Sequence, residues 1–194
     1  MTGNVIDFES FPKIGRLARG IVVTEKIDGS NGQVAISDDL SIVRAGSRTR
    51  WIEPGKSTDN YGFAAWVAEH ADELRQLGPG RHFGEWWGSG IQRRYGLHEG
   101  EKRFSLFNTG RWGGTPREGC IRPACCEVVP VLYAGPMDQS AIDAALDDLA
   151  TNGSRAAPGF MFPEGVVVFH SATGTLFKRT LVGDEAPKGL QVAA

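Results

Sequence analysis

Apolar and polar residues alternate with a period of two along much of the chain, which is the period of a β-strand. Ile21–Val23 is a short apolar run that predicts a buried strand. Residues 33–37 and 40–44 alternate on either side of Asp38–Asp39, a pattern typical of a β-hairpin. Further strands are predicted at residues 82–87, 103–108, 128–133, 165–169 and 175–179. Pro130 interrupts one of them and places it at a sheet edge.

Two segments instead show the period of an α-helix. Residues 59–77 carry apolar side chains at helical spacing, with Asp59 or Asn60 available as a cap and Gly78 as a stop. Residues 138–149 show a second apolar stripe, with Gly153 beyond its end. Strands and helices do not alternate regularly, so the pattern favours an α+β domain of antiparallel β-sheets with flanking helices over a doubly wound parallel sheet.

The bulk composition indicates an ordinary globular protein. The chain has 194 residues, of which 41% are hydrophobic and 23% are charged, so we expect a single domain over residues 1–194. No apolar run approaches the roughly 20 residues that span a bilayer, and no signal peptide opens the sequence. Cys120, Cys125 and Cys126 lack metal-binding spacing. Free thiols, a cytoplasmic location and no membrane partner are therefore expected.

The charges are distributed unevenly. The net charge is −2, but residues 81–122 contain eight Lys or Arg and four acids, a local excess of +4. A basic segment in an acidic protein is compatible with a surface that faces phosphates. It is equally compatible with a solvated surface that binds nothing.

One segment, EKIDGSNG at residues 25–32, could carry chemistry. Taken alone, Asp28–Gly29 reads as a turn, and Lys26 as a solvated residue beside it. Alternatively, Lys26 is a covalent nucleophile at the end of a strand, held beside a bound phosphate. A lysine nucleophile must first lose its proton, which desolvation and neighbouring cations favour. Gly29 and Gly32 are expected to let the backbone approach a nucleotide closely.

Five segments in order resemble the nucleotidyltransferase motifs of covalent polynucleotide ligases, and most closely the phage RNA ligases that seal nicks in double-stranded RNA. They are EKIDGSNG (25–32), SRT (47–49), FGEWWGSGIQ (83–92) with FSLFN (104–108), PEGVVV (163–168) and LFK (176–178). The resemblance implies an ATP-grasp-like nucleotidyltransferase domain of antiparallel sheets. It also implies that the cofactors are ATP and Mg²⁺ or Mn²⁺. The implied partner is RNA, as a nicked duplex or an RNA–DNA hybrid.

The resemblance also assigns roles to residues. Lys26 is expected to accept AMP, while Glu25 and Asn31 would help to hold the nucleotide and the acceptor phosphate. Arg48 would contact phosphate, and Glu85 would bind the ribose hydroxyls. The remaining roles fall to Phe107, which would stack on adenine, to Glu164, which would position the metal through water, and to Lys178, which would grip the α-phosphate.

The sequence departs from the family pattern in three places. Thr180 stands where a second lysine often follows, and Arg179 should point to the opposite face of its strand from Lys178. Asn108 replaces a frequent aspartate. Only 16 residues follow Lys178 in the 194-residue chain. No OB-fold or C-terminal domain fits there, so an accessory protein could supply the missing clamp.

Three functions are consistent with the sequence. The first is an ATP-dependent RNA ligase, reduced to its catalytic domain and active in RNA repair. It would form lysyl-AMP, transfer AMP to a 5′-phosphate end and join that end to a 3′-hydroxyl. The second is a DNA ligase core or a GTP-using capping-type enzyme. The third is a non-catalytic module that binds nucleotides or nucleic-acid ends.

Overall fold

The computed structural model describes residues 7–114 and 121–183. Its first sheet, sheet A, has four antiparallel strands. In spatial order they are β7 (Val131–Pro136), β1 (Gly20–Lys26), β8 (Gly165–His170) and β9 (Thr175–Thr180). A turn with Gly174 at φ 65° joins β8 to β9, as the sequence predicts.

The second sheet, sheet B, has five strands. In spatial order they are β3 (Val43–Gly46), β2 (Ser30–Ile36), β4 (Gly80–Gly88), β5 (Lys102–Leu106) and β6 (Cys126–Val128). All neighbours are antiparallel except β5 and β6. The strand predicted at 128–133 is therefore wrong as a single element, because the chain leaves sheet B before Pro130 and enters sheet A after it. Both β6 and β7 lie at sheet edges, where a proline is tolerated.

The helix predicted over 59–77 is shorter and broken. The structure has α1 (Phe63–Glu69), α2 (Ala71–Leu74) and a 3-10 turn at Arg75–Leu77. Tyr61 and Gly62 have positive φ angles, so the helix begins only after them. Asp59 still acts as a cap, because its carboxylate accepts hydrogen bonds from the Ala64 and Ala65 amides.

The remaining helices are α3 (Thr109–Trp112) and α4 (Gln139–Asn152). Asp138 caps α4 by accepting a hydrogen bond from the Ser140 amide, and Gly153, at φ 79°, ends the helix. The second predicted helix is thus confirmed, with one further turn at its end. No helix in the described ranges is long and apolar enough to cross a bilayer.

Each sheet buries one face against helices. In sheet A, alternate residues of β1 and β8, among them Val23 and Val166, pack against Leu149 and its neighbours in α4. In sheet B, residues such as Val34, Phe104 and Leu106 pack with Phe63 and Leu74 under the other helices. Because side chains alternate across a strand, the intervening residues of both sheets lie on the opposite face. We call these two faces helix-facing and cleft-facing.

A third cluster joins the two sheets. Ile27 follows β1, Trp87 belongs to β4 and Val129 lies between β6 and β7, and these three pack with Tyr95 and Ala157. Trp87 and Tyr95 are essentially inaccessible to solvent, and their rings meet edge to face at 5.2 Å. The cluster therefore fixes the end of β1, and with it Lys26, against sheet B.

Candidate active site

Lys26 is the last residue of β1 and is cleft-facing, because its neighbour Glu25 lies on the helix-facing side. Its Nζ is 2.5 Å from Oε2 of Glu164, and both side chains are largely buried. Glu164 immediately precedes β8, whose first residue, Gly165, pairs with Lys26. Gly165 has φ 150°, and a Cβ there would collide with the Arg179 carbonyl. The motif glycine is thus required for the two charged side chains to meet.

Glu85 lies on the cleft-facing side of β4, close enough to Lys26 and Glu164 for their charges to interact. Its carboxylate accepts hydrogen bonds from the Gly29 amide at 3.1 Å and from Asn31 Nδ2 at 2.8 Å. Burial raises the pKa of Glu85 to about 7, although the Asn31 hydrogen bond and the nearby Lys26 ammonium act in the opposite direction. Asn31 Oδ1 in turn accepts a hydrogen bond from Arg48 Nε at 2.9 Å. Asn31 therefore connects the predicted ribose carboxylate to the predicted phosphate contact.

Lys178 and Phe107 border this group of residues. Lys178 pairs with Val167 and shares the cleft face with Lys26, at a Cα separation of about 12 Å estimated from strand spacing. Phe107 follows β5 and donates its amide to the Phe83 carbonyl at 2.9 Å. Its side chain is 41% exposed, whereas Leu106 beside it is in the core. An exposed aromatic ring on the cleft side is available for stacking.

Glu25 occupies a different environment. It is 1% exposed, and its carboxylate accepts hydrogen bonds from Ser154 Oγ at 2.5 Å and from the Arg155 and Ala156 amides at 2.8 and 2.9 Å. Burial raises the pKa of Glu25, and these donors partly offset that effect. The side chain thus binds the loop after α4. Its predicted contact with nucleotide stays a prediction, and the geometry favours a role in holding β1 in place.

Arg179 is helix-facing, as the alternation predicts, and pairs with Asp143 of α4. Thr180, which replaces the second lysine of the family pattern, pairs with Gly165 and is therefore on the cleft side. Asn108 caps α3, accepting a hydrogen bond from the Arg111 amide. Thr180 therefore lies on the cleft-facing side of sheet A, and its neighbour Arg179 on the helix-facing side.

The glycines of the lysine motif serve packing within the protein. A Cβ at Gly29 would lie 2.8 Å from Cβ of Trp87, and one at Gly32 would lie 2.7 Å from the Phe63 ring. Real Cβ atoms do not approach so closely. The structure therefore adds a second reason for these glycines, which is that the backbone passes directly against aromatic side chains, and their predicted approach to a nucleotide stays a prediction.

The structure adds two residues that the sequence did not indicate, Arg93 and Tyr95. Arg93 donates through Nε to Asp28 at 3.0 Å and through Nη1 to the carbonyls of Phe162 and Pro163 at 3.0 and 3.4 Å. The buried Tyr95 hydroxyl accepts a hydrogen bond from the Asp28 amide at 2.8 Å. Arg93 therefore ties the loop after Lys26 to the loop before Glu164.

The segment that carries Arg93 has unusual backbone geometry. Gln92, Arg94 and Tyr95 all have positive φ angles, of 42°, 60° and 51°. Such angles are uncommon for residues with a Cβ and cluster at functional sites. Arg93 is 65 residues from Asp28 in sequence, so only the fold reveals the pairing.

The basic residues of segment 81–122 lie in different local environments, and their predicted role in facing phosphates stays a prediction. Arg81 lies at the start of β4, Arg103 pairs with Glu101 and Glu127, and Arg93 is part of the site. Arg122 donates to the Cys126 carbonyl elsewhere. Cys125 and Cys126 are free, as expected. Arg117, Glu118, Cys120 and the predicted polar tail at 184–194 lie outside the described residues.

The described residues contain no group of three or more His, Cys, Asp or Glu side chains suited to hold a metal ion. Glu164 offers a single carboxylate, with Glu85 nearby. Mg²⁺ is commonly held by one or two carboxylates together with waters and substrate phosphates. The residues present therefore fit a metal that is held through water and phosphate, and not an ion held by protein ligands alone.

A family model described as RNA ligase matches residues 19–179. The chain belongs to the RNA ligase family. The matched range contains every predicted site residue and all five segments that carry the resemblance. No match is found among curated proteins.

Solved structures of Naegleria gruberi RNA ligase are similar in fold. A mutant with AMP and Mn aligns at TM-score 0.54 and 18% identity, a second mutant with ATP and Mn at 0.55 and 18%, and a complex with PPi at 0.54 and 19%. Each alignment covers 84% of this chain and 50% of the other, so the chain spans about half the length of these ligases. This similarity confirms the predicted α+β fold of the RNA ligase nucleotidyltransferase domain.

Proposed function

We propose that this protein is an ATP-dependent RNA ligase that works through a covalent lysyl-AMP intermediate on Lys26. The observation that carries the proposal is the pairing of Lys26 with Glu164 at 2.5 Å, on the cleft-facing side of sheet A and opposite Glu85. A surface lysine beside a turn would not be expected to be anchored in this way by residues 138 positions away.

The first step needs a neutral amine. The Lys26 ammonium transfers a proton to an acceptor, and the Glu164 carboxylate is the acceptor in hydrogen-bond contact. The lone pair of Nζ then attacks the α-phosphorus of ATP. A phosphorus–nitrogen bond forms as the bond from the α-phosphorus to the bridging oxygen breaks, and pyrophosphate leaves with that electron pair.

The other residues of the site would bind the nucleotide. The Glu85 carboxylate would accept hydrogen bonds from the ribose hydroxyls, and Phe107 would stack on adenine. Arg48 and Lys178 would offset the negative charge that grows on the phosphates during displacement. Asn31, already bonded to Glu85 and Arg48, would hold both in register.

A divalent metal is part of this proposal. Glu164 would hold Mg²⁺ or Mn²⁺ through bound water, together with the phosphates of the substrate. When bound, the ion would supply positive charge at the reacting phosphate. Proton transfer from Lys26 and the binding of ribose and base remain the work of the side chains described above.

The later steps use RNA. An oxygen of a 5′-phosphate end attacks the phosphorus of lysyl-AMP, which breaks the phosphorus–nitrogen bond and returns Lys26. A 3′-hydroxyl then attacks the activated 5′-phosphate, forms the phosphodiester and releases AMP. The chain spans half the length of similar ligases, and both joining steps on RNA are part of the proposal.

The proposal is tested by incubating the protein with α-labelled ATP and Mg²⁺ or Mn²⁺. Label should attach covalently to the protein, should resist alkali but be released by acid, as a phosphoramidate is, and should be discharged by added pyrophosphate. Lys26→Arg should abolish labelling, since it keeps the positive charge beside Glu164 without an effective nucleophile. Lys56→Ala, at an exposed position, is the matched control and should label normally.

Two further arms separate this function from its relatives. Unlabelled GTP or NAD in excess should not suppress labelling by ATP. Suppression by GTP would indicate a capping-type enzyme, and suppression by NAD would indicate a different class of ligase. Nicked duplexes with RNA or DNA on the 3′-hydroxyl side then define the strand preference. Absence of any covalent label in the wild-type protein would contradict the proposal and support a non-catalytic binding module.

A further inference from the structure

The cleft-facing side of sheet B continues beyond the proposed nucleotide site. Asn31 pairs with Glu85, and two residues further along the same strands Gln33 pairs with Phe83. Two residues further again, Ala35 pairs with Arg81 on one side and with Arg44 on the other. Side chains two residues apart share a face, so Phe83, Arg81 and Arg44 extend the face that carries Glu85.

Trp51 covers the far end of this face. It forms a bridge with Gly46, and a Cβ added at Gly46 would lie 3.3 Å from its ring, so the indole packs directly against the backbone of β3. The Arg44 and Arg81 guanidinium groups lie over the ring at 4.6 and 5.5 Å from its centroid. We call Arg44, Trp51, Arg81 and Phe83 the Trp51 strip.

The aromatic members of the strip remain accessible. Trp51 is 38% exposed and Phe83 is 51% exposed, although both are large apolar side chains. Neither belongs to the three core clusters. Their exposure on a rigid sheet provides flat apolar surfaces for a partner that also has flat faces.

The arginines of the strip lack acidic partners. Within residues 7–114 and 121–183, neither Arg44 nor Arg81 forms an ion pair, whereas Arg75 pairs with Asp72 and Arg103 with Glu101. The neighbours between them on β2, Ala35 and Gln33, are uncharged. The strip therefore carries two positive charges that form no ion pair in the described ranges, which suits a polyanion.

The strip is also continuous with the nucleotide site. The Phe107 amide donates a hydrogen bond to the Phe83 carbonyl. The residue predicted to stack on adenine is therefore a direct neighbour of Phe83, the member of the strip nearest to Glu85. Aromatic rings alternating with cations along one groove are the features that bind single-stranded nucleic acid, through base stacking and phosphate contacts.

We propose that the Trp51 strip binds a single-stranded segment of the RNA substrate, with bases stacked on Trp51 and Phe83 and phosphates held by Arg44 and Arg81. The identity of the polyanion as RNA rests on the proposed ligase function. An acidic peptide would use the charges but would not need the exposed rings, so the contribution of the rings decides between the two.

The binding test uses fluorescence anisotropy with a short single-stranded RNA and no ATP. Trp51→Ala should weaken binding by about fivefold to a hundredfold, the range expected for the loss of one base stack. Phe83→Ala should act in the same direction, and Trp51→Phe should retain most of the affinity. Phe177→Ala is the matched control, since Phe177 is 57% exposed but belongs to the helix-facing side of sheet A.

The charge test follows the salt dependence of the same binding. Arg44→Ala with Arg81→Ala should reduce the slope of log Kd against log salt by about 1.4, which corresponds to two phosphate contacts on a single strand. Arg75→Ala, outside the strip, should leave the slope unchanged. An abasic strand of equal length should bind the wild type more weakly and should be insensitive to Trp51→Ala.

Labelling with ATP in the absence of RNA should stay at the wild-type level in every strip variant. Failure of the wild-type protein to label would therefore contradict the ligase function. The anisotropy measurement of RNA binding would still test the strip proposal independently. The strip proposal is overturned if wild-type protein does not bind RNA, if Trp51→Ala and Phe83→Ala both keep wild-type affinity, or if an acidic peptide or the abasic strand binds as tightly as RNA.

Discussion

Glu25 and Lys26 are adjacent in sequence but lie on opposite sides of sheet A. Glu25 is buried beneath α4 and takes three hydrogen bonds from the loop that follows this helix. Lys26 faces the cleft, and its hydrogen-bond partner among the described residues is Glu164. At the other end of the sheet, Arg179 pairs with Asp143 of α4 while Lys178 remains exposed on the cleft side.

The difference shows how the alternation of side chains along a β-strand places residues that stabilise the fold on one face and residues available to a ligand on the other. Helix-facing side chains have their hydrogen-bond partners within the protein, and this fixes the strand. Cleft-facing side chains keep capacity for a ligand. Neighbouring charged residues within one motif should therefore fail in different ways: loss of a helix-facing residue should lower stability, and loss of a cleft-facing residue should lower the rate of adenylylation.

The largest expected contrast is between Lys178 and Arg179. Lys178→Ala should slow labelling by ATP about a hundredfold, the usual cost of removing one preorganised charge at a developing oxyanion. Arg179→Ala should leave the labelling rate unchanged and lower the free energy of unfolding by about 1 kcal/mol or less, because its ion pair is half exposed. Urea unfolding and single-turnover labelling measure both quantities. The reverse pattern would contradict the assignment of faces.

Glu25→Ala should lower the free energy of unfolding by about 3 kcal/mol, because it leaves buried donors of Ser154, Arg155 and Ala156 without an acceptor. The folded fraction should still label at close to the wild-type rate. Glu25→Gln, which keeps one acceptor, should lose less stability. A stable Glu25→Ala protein that cannot label would instead support the predicted contact with nucleotide.

Glu85 links stability to pH. Its pKa is about 7 in the folded protein against an ordinary value of 4.5, so the folded state holds the proton more tightly than the unfolded state. The stability from this group is present below pH 4.5 and is lost as pH rises through 7. Between pH 5 and pH 8, unfolding free energy should fall by about 2 kcal/mol more in the wild type than in Glu85→Gln. Equal pH profiles for the two proteins would refute this origin.

The smallest effect is expected at Arg93. Lysine cannot donate at once to the Asp28 carboxylate and to the Phe162 carbonyl, so Arg93→Lys should loosen Lys26 relative to Glu164 and slow labelling about tenfold. The KM for ATP should change less than the labelling rate. Arg94→Lys, next in sequence and exposed, is the matched control. Equal labelling rates for Arg93→Lys and Arg94→Lys would contradict a role for Arg93 in positioning Lys26.

Much of the fold follows from the sequence because strands with one buried face have a clear period. The pattern predicts β1, the β2–β3 hairpin, the β8–β9 hairpin and α4, and the structure confirms them, although β3 begins at Val43 and not at residue 40 as predicted. It does not predict the break near His70, since apolar spacing continues through it. It also does not predict that Pro130 separates two strands of different sheets.

The site is less predictable than the fold. The same alternation that assigns Arg179 to the helix-facing side also assigns Glu25 there, yet motif resemblance alone suggested a nucleotide contact. Arg93 and Tyr95 could not be found from spacing, because their partners are distant in sequence. The single-domain organisation, the cytoplasmic location and the closeness to phage enzymes stay predictions.

The central claim is that Lys26, and no other residue, accepts AMP. Its most direct test is peptide mapping by mass spectrometry of the wild-type protein after incubation with ATP and a divalent metal. The account predicts one adduct of AMP mass, on Lys26, that disappears on addition of pyrophosphate. An adduct on Lys178 or on any other residue, or no adduct in folded protein, would contradict it.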